Sequence, residues 1–330
     1  MIAAPGYTVG LALGRGRTGS LFRATRDSDG AAVVIRQLTP KLAAAPAVAA
    51  ALRSLSVDCS TLRAPTVLPV LQVLELDGDL LVVEPYVEGS PLSRVLAGGP
   101  LPPEEVHALA MDLMDAVADL HRHRVVHGDL RPSNIHMTAR GARVSGVGVA
   151  LRTKRRAGQG GFLLRDPYDA PELDAGGSGH LIDLYALGAV LLYAITGDEG
   201  PHDFLPASDE VTDVLLKAVS AAPERRQGNV EALRLEFLDA EKRRGPAKAR
   251  PVVPPTLASW APSLGSTPGA AVPWPEEDDV ATRAGFSAVP AGVAASPAGP
   301  ATLGRTASRP PEPVSFSLAA APEPADARTP

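Results

Sequence analysis

The sequence has a single cysteine, no long apolar run and no excess of positive charge, and each absence excludes a class of protein. Cys59 has no second cysteine with which to form an internal disulfide, which is typical of a reducing compartment. No apolar run reaches the roughly 18 residues of a membrane-spanning helix, and the first residues lack the basic start and apolar core of a signal peptide. The formal net charge of -5 gives no bulk attraction to nucleic acid. We predict a cytoplasmic protein that has no membrane span and binds no nucleic acid.

Acidic residues are also missing from two internal stretches of this otherwise acidic chain. No Asp or Glu occurs from residue 31 to residue 57, or between Asp129 and Asp166. Carboxylates are the side chains that hold magnesium and that pair with buried cations. Neither stretch can supply a carboxylate for such a purpose.

Composition divides the chain into a folded part and a tail. Pro, Ala, Ser, Thr and Gly dominate residues 246–330, and such a segment buries too little apolar surface to offset the entropy lost on ordering. We predict an N-terminal extension over residues 1–6, a folded domain over residues 7–244 and a disordered tail over residues 245–330. Both tryptophans of the chain, Trp260 and Trp274, fall in this tail.

The first third of the folded part has patterns typical of strands, and the remainder has patterns typical of helices. The predicted strands are 7–13, 20–26 and 31–38. The predicted helices include 47–55, a helix that opens at Pro102-Pro103-Glu104-Glu105, and a helix over 181–196 that is apolar on almost every side and should be buried. Only residues 198–207 separate this last helix from the next one, which predicts a trimmed helical part.

Three motifs in a fixed order carry the strongest functional signal. Gly14, Gly16 and Gly19 have the spacing that lets a strand-turn-strand backbone approach phosphates. The segment Val33-Val34-Ile35-Arg36 follows, and then His127-Gly128-Asp129-Leu130-Arg131-Pro132-Ser133-Asn134-Ile135. Together they resemble the protein kinase family, in particular bacterial serine/threonine protein kinases. The resemblance implies an α+β, bilobal fold with a small β-rich N-lobe (about 7–84), a hinge (about 84–89) and a trimmed helical C-lobe (about 90–244).

The resemblance also implies roles for individual residues. It assigns nucleotide binding to Gly14, Gly16, Gly19, Arg36, Glu84 and Val87. It places Asp129, Arg131 and Asn134 at catalytic positions, with Asp129 either as a remnant base for the substrate hydroxyl or as a hydrogen-bond anchor of its loop. Glu172, Asp183 and Arg226 are implied as structural residues, with Glu172 and Arg226 forming an ion pair.

Several charges that phosphoryl transfer uses are absent from this pattern. Arg36 stands where the family has a lysine, and the acid-free stretch that follows offers no glutamate to hold it, so we predict an unanchored cation. Gly146 stands at the family's magnesium-binding aspartate, which leaves Asn134 as the obvious ligand and predicts no metal site. Arg165 replaces the threonine of the activation segment, and Pro85 is interpreted as an inserted hinge residue. No cofactor is required by this pattern, although ATP without magnesium remains possible.

Arginines gather in sequence around the same motifs, and two interpretations stay open. They are Arg15, Arg17, Arg36, Arg131 and Arg143. They either form an anion pocket for metal-free nucleotide or for a phosphorylated segment, or they are solvated surface side chains.

The leading hypothesis is a pseudokinase, a catalytically impaired protein-kinase-like domain that acts as a regulatory or scaffolding module in signalling. One alternative is an unconventional ATP-dependent kinase that uses Arg36 and Asp129, and another is a nucleotide-binding sensor without turnover. The expected partners are proteins, among them an active kinase or a phosphoprotein-binding domain. Trp260 and Trp274 are the candidate docking residues, because isolated tryptophans are unusual in a disordered spacer.

Overall fold

The structure is a computed structural model that describes residues 2–156, 167–173, 176–177, 179–199 and 209–244. The predicted tail lies outside the described residues, together with Trp260 and Trp274. Arg165 and most of the connection 198–207 also lie outside them.

A five-stranded antiparallel sheet forms the N-terminal lobe. Its strands are β1 (Tyr7–Gly16), β2 (Gly19–Arg26), β3 (Ala32–Leu38), β4 (Gln72–Leu76) and β5 (Asp79–Pro85). They lie in the order β1-β2-β3-β5-β4, so β3 is central and β1 is an edge strand. The alternating apolar residues of β3 and β5 give one face of the sheet its own small core.

Two helices follow β3, α1 (Pro40–Ala43) and α2 (Pro46–Cys59). A proline in the first turn begins each helix, where its missing N–H costs no hydrogen bond. Helix α2 buries Val48, Leu52 and Leu55 against the rest of the domain. It is longer than the helix predicted over residues 47–55, and it carries no acidic residue before Asp58.

The second lobe is mainly helical. Its elements are β6 (Ser90–Pro91), α3 (Leu92–Leu96), α4 (Pro103–Arg122), β7 (Ile135–Thr138), β8 (Gly141–Val144), α5 (Val149–Arg156), α6 (Leu181–Thr196), α7 (Glu210–Ala218) and α8 (Val230–Arg244). Helix α4 has Glu104 and Glu105 in its first turn, where carboxylates favour the helix dipole. Helix α6 matches the predicted bounds and is buried on nearly every side. It ends at Gly197, whose φ of +71° suits glycine at a helix end.

These two parts confirm the predicted α+β, bilobal architecture, with a β-rich lobe followed by a helical lobe. A continuous apolar core runs from α2 through α4 and α6 to α8. Among the described residues, no helix is both long and apolar enough to cross a membrane.

The segment between the lobes differs from the prediction. Strand β5 continues through Glu84 to Pro85, and Val34 and Val33 of β3 pair with them without a break in register. Pro85 is therefore the last residue of the paired strand, and its interpretation as an inserted hinge residue stays a prediction. The connection between the lobes starts at Tyr86, and it includes Val87, which is partly exposed.

Candidate functional site

One buried carboxylate of helix α6 holds the loop that carries Asp129. Asp183, on α6, is completely buried and accepts hydrogen bonds from the backbone N–H groups of His127 (2.9 Å) and Gly128 (2.8 Å). Its Oδ2 also lies 2.8 Å from Nε2 of His121. Burial opposes the ionisation of Asp183. The hydrogen bond and charge of His121, together with the hydrogen bond from the N–H of Gly128, nevertheless lower the pKa of this carboxyl group. This carboxylate sets the shape of the loop.

Steric constraints explain why position 128 is a glycine, although the family resemblance leads one to expect an arginine there. Gly128 has a φ of +68°, and a Cβ atom built on it would lie 2.7 Å from Cβ of Leu151 on α5. An L side chain is strained in that conformation and has no space there. The loop therefore depends on glycine at this point.

Asp129 makes several contacts within the domain. Nδ2 of Asn134 donates to its backbone oxygen (2.8 Å) and to its Oδ2 (3.0 Å). Nε of Arg131 lies 3.8 Å from Oδ1. Nη1 of Arg17, in the β1–β2 turn, donates to the same oxygen at 2.9 Å. The structure thus brings together the three predicted catalytic positions and adds an arginine that the prediction had placed in a general cluster.

Arg17 also binds a second carboxylate. Its two terminal nitrogens donate to the two oxygens of Asp169 at 3.3 and 2.9 Å, which is a bidentate pair. Burial would lower the pKa of Arg17, but the hydrogen bonds and charges of Asp169 and Asp129 raise it above its ordinary value. Arg17 is firmly a cation that bridges two acids.

Arg36 is anchored, and the prediction of a free cation was wrong. Nη2 of Arg36 lies 3.2 Å from Oε2 of Glu84, and both side chains are buried. The prediction considered only the helix after β3, whereas the anion comes from the neighbouring strand β5. Sheet pairing aligns the two strands. The two side chains meet in the space between the β1–β2 turn, the loop of Asp129 and the segment around Gly146, which we call the cleft.

Glu84 holds a second element as well. Its Oε1 accepts a hydrogen bond of 2.7 Å from the backbone N–H of Gly146. The residue was predicted to contact nucleotide from the hinge, and the structure instead gives it a buried position in β5 that links β3 to the segment after β8. One carboxylate thus joins three parts of the chain.

Magnesium, which the family resemblance implies, does not fit the residues around Gly146. A Cβ atom on Gly146 would have Nη2 of Arg36 and the amide of Asn134 as its nearest neighbours, each at 3.6 Å. The carboxylates close to this point, Glu84 and Asp129, are each bound to an arginine. Magnesium prefers several oxygen ligands in octahedral geometry, and this donor set of one amide and two ion-paired carboxylates does not provide them.

The glycine-rich turn lies close against the same cluster. Gly16, Arg17, Thr18 and Gly19 form a tight turn between β1 and β2, and Nη1 of Arg36 lies 3.4 Å from Oγ1 of Thr18. A Cβ atom on Gly19 would lie 1.9 Å from the backbone oxygen of Gln37, so only glycine permits this approach. Gly14, at the start of the motif, has a φ of +146°.

The arginine cluster fits neither of its two interpretations as a whole. Arg17, Arg36 and Arg131 lie near carboxylates inside the cleft. Arg143 donates to the backbone oxygen of Ala142, and Arg15 is exposed. The inward-facing arginines are therefore partners of acids of the domain.

A separate ion pair ties the end of the activation segment to the helical lobe. Nη1 and Nη2 of Arg226 donate to the two oxygens of Glu172 at 2.6 and 2.8 Å. Arg226 also donates to backbone oxygens of Leu181 and Ser220 and lies over the ring of Tyr185. The structure therefore brings together the two side chains that were predicted to pair.

A family model of the protein kinase domain matches residues 7–236, which is more than half of the chain. The chain belongs to the protein kinase family. The curated relatives include serine/threonine kinases from plants and bacteria. CBL-interacting protein kinase 21 of Oryza sativa is 30% identical over 220 residues, which cover 64% of this chain and 41% of the relative. Serine/threonine-protein kinase pkn3 of Myxococcus xanthus is 27% identical over 277 residues, which cover 72% of this chain and 51% of the relative.

The chain thus spans about two fifths to one half of the length of these relatives. Among solved structures, the kinase domain of Mycobacterium tuberculosis PknI superposes with a TM-score of 0.60 at 23% identity, covering 72% of this chain and 97% of that one. At this identity the likeness shows the fold alone. It agrees with the two lobes of the kinase domain described above.

One titratable side chain of the kinase domain's cleft gives a pH prediction. Nε2 of His136, on β7, lies 2.9 Å from Oγ of Ser145. Burial lowers its pKa below the ordinary 6.5, and the charge of Glu84 opposes that shift while Arg36 adds to it. Below about pH 6.5, His136 therefore binds a proton more readily in the unfolded chain than in the folded domain.

We accordingly expect stability to fall as the pH drops below about 6.5, and we expect His136→Gln to make this decline shallower. Glutamine can keep a hydrogen bond to Ser145 without titrating. Thermal melting followed by circular dichroism between pH 7.5 and 5 measures the effect. Identical pH profiles for the wild-type and variant proteins would show that His136 does not contribute.

Proposed function

We propose that this kinase domain is a pseudokinase that serves as a regulatory or scaffolding interaction module in signalling. The observation that carries the proposal is that the described residues around Gly146 offer no set of oxygen ligands for magnesium, because Gly146 has no side chain and the nearby carboxylates of Glu84 and Asp129 are each paired with an arginine. Phosphoryl transfer depends on a cation that holds the phosphates and on a carboxylate that receives the hydroxyl proton of the acceptor. It also depends on a metal ion that neutralises the phosphates, and Asp129, at the position of the base, is paired with Arg17.

Releasing Arg36 toward a phosphate would be unfavourable. Glu84 is only 2% exposed, and a buried carboxylate that loses its cation costs several kcal/mol. Glu84 would also have to keep its hydrogen bond to the N–H of Gly146. The ion pair therefore supports a contribution of Arg36 and Glu84 to the fold.

The scaffold contacts, in contrast, are complete. Asp183 holds the loop of Asp129, and Glu172 pairs with Arg226. A domain with intact scaffold pairs and an incomplete set of catalytic charges is suited to present a surface to other proteins. We propose a cytoplasmic setting and protein partners, among them an active kinase or a phosphoprotein-binding domain, with Trp260 and Trp274 as docking residues.

A phosphotransfer assay tests the proposal. We expect that the full chain, incubated with radiolabelled ATP and magnesium or manganese and a generic acceptor protein, incorporates no more label than Asp129→Asn. The substitution keeps the size of the side chain and removes the charge. An active serine/threonine kinase in a parallel reaction shows that the conditions support transfer.

Incorporation that Asp129→Asn abolishes would overturn the proposal and favour the unconventional kinase. A thermal-shift titration with ATP separates the nucleotide sensor. We expect no stabilisation that depends on magnesium, because the residues around Gly146 do not fit the ion. Stabilisation by ATP alone, without label transfer, would favour the sensor over the interaction module.

A further inference from the structure

The β1–β2 turn is tied to the opposite lobe through Arg17. Its side chain is 8% exposed, and its carboxylate partners Asp129 and Asp169 are 10% and 16% exposed. These partners lie 112 and 152 residues away along the chain. A single guanidinium therefore connects the glycine-rich turn, the loop of Asp129 and the segment that precedes Ala170.

This contact differs from an ordinary surface ion pair. Exposed pairs contribute little to stability because solvent screens them and the side chains lose entropy. Arg17 is enclosed and bidentate toward Asp169, and it makes a further hydrogen bond to Asp129. Charge-assisted hydrogen bonds of this geometry are among the stronger polar contacts in proteins.

The strand that leads into the turn is paired on one side only and has an irregular ladder. Strand β1 lies at the sheet edge, and its pairing with β2 has irregularities between Val9 and Ala12 and between Ala12 and Gly14. Leu11 on this strand is 69% exposed. An edge strand is paired on one side only, and irregularities disrupt its ladder locally.

We propose that Arg17 is an intramolecular latch that holds the β1–β2 turn closed over Asp129. In the closed form its guanidinium lies between Asp129 and Asp169, and Thr18 beside it accepts a hydrogen bond from Arg36. In the open form the turn lifts, and the carboxylates of Asp129 and Asp169 lose this cation and become accessible from the cleft. The latch is independent of whether the domain transfers phosphate, so it goes beyond the proposed function.

Two arginines that are two residues apart in the chain supply a matched comparison. Arg17 is enclosed between two acids, whereas Arg15 is exposed. Arg17→Gln removes a positive charge from the turn, and Arg15→Gln removes the same charge from the adjoining end of β1. Only the first variant removes the contact between the lobes.

Hydrogen-deuterium exchange of the full chain measures the opening. We expect exchange in residues 14–21 to rise at least about tenfold in Arg17→Gln and in Asp169→Asn, because a charged hydrogen bond that closes the turn is lost in both. Arg15→Gln should leave the exchange of this segment unchanged. Peptides of α6 serve as an internal reference, since the latch predicts a local effect that leaves the buried helix protected.

The double variant Arg17→Gln with Asp169→Asn gives the decisive comparison. If the two side chains act through one contact, the double variant exchanges no faster than the faster single variant. Effects that multiply would overturn the latch. An equal rise in Arg15→Gln, or a rise that extends to α6, would overturn it as well.

Discussion

Replacing Asp183 by alanine is expected to lower the free energy of unfolding of the kinase domain by about 3–5 kcal/mol. The carboxylate accepts hydrogen bonds from the N–H groups of His127 and Gly128 and contacts His121. Alanine leaves these buried donors without an acceptor, at roughly 1–3 kcal/mol each. For a domain of this size, the midpoint of thermal unfolding should fall by roughly 10 °C.

Far-UV circular dichroism is the suitable measurement. Asp239→Ala is the matched control, since Asp239 forms an exposed pair with Arg243 one turn along α8, and such a pair contributes roughly 0.3–0.5 kcal/mol. A loss for Asp183→Ala as small as that of the control would contradict the structural role of Asp183.

Replacing Glu84 by glutamine is expected to destabilise the domain by about 3–5 kcal/mol, because Arg36 is left as a buried cation without its anion. The amide has nearly the same shape as the carboxylate, so packing is retained and the loss reports charge. Its oxygen can still accept the hydrogen bond from Gly146. Chemical denaturation followed by circular dichroism gives the free energy directly.

The double variant Arg36→Met with Glu84→Gln is the companion measurement, because glutamine keeps the acceptor for the N–H of Gly146. Removing both charges of a buried ion pair is often much less costly than removing one. We therefore expect the double variant to be more stable than Glu84→Gln. Equal losses in both proteins would mean that the pair is not coupled and that Arg36 finds another anion.

Together the two substitutions test two different uses of buried charge in this domain. Asp183 fixes a loop from the helical lobe, and Glu84 joins β3 to the segment after β8 within the cleft. The first contact maintains the scaffold in which Asp129 lies. The second holds Arg36, the cation that the family resemblance assigned to nucleotide binding.

Local sequence patterns were sufficient for much of the architecture. The apolar run from Leu181 to Thr196 predicts a buried helix with correct ends, because only a helix surrounded by other elements can be apolar on every side. Glycine spacing placed the turn between β1 and β2, since close backbone approach at Gly19 leaves no room for a side chain. Helix α2 was predicted too short, as helix ends depend on contacts that periodicity does not contain.

The charge contacts of the cleft were harder to predict. Glu84 follows a run of apolar residues, and that position is itself a signal, because a carboxylate at the end of a buried strand needs a cation. The sequence does not say which arginine supplies it. The pairing of Arg17 with Asp129 and Asp169 gave no local signal, since more than a hundred residues separate the partners.

The sequence by itself determined the family, the two lobes and the absence of acids from two stretches, because each follows from residues that are neighbours or regularly spaced along the chain. It also determined that the segment from residue 31 to residue 57 cannot supply an anion for Arg36. Only the tertiary structure decided that Arg36 has one, from Glu84, and that Arg17 closes over Asp129. Ion pairs form between side chains that the fold brings within a few ångströms, and that proximity is a property of the packed sheet and lobes.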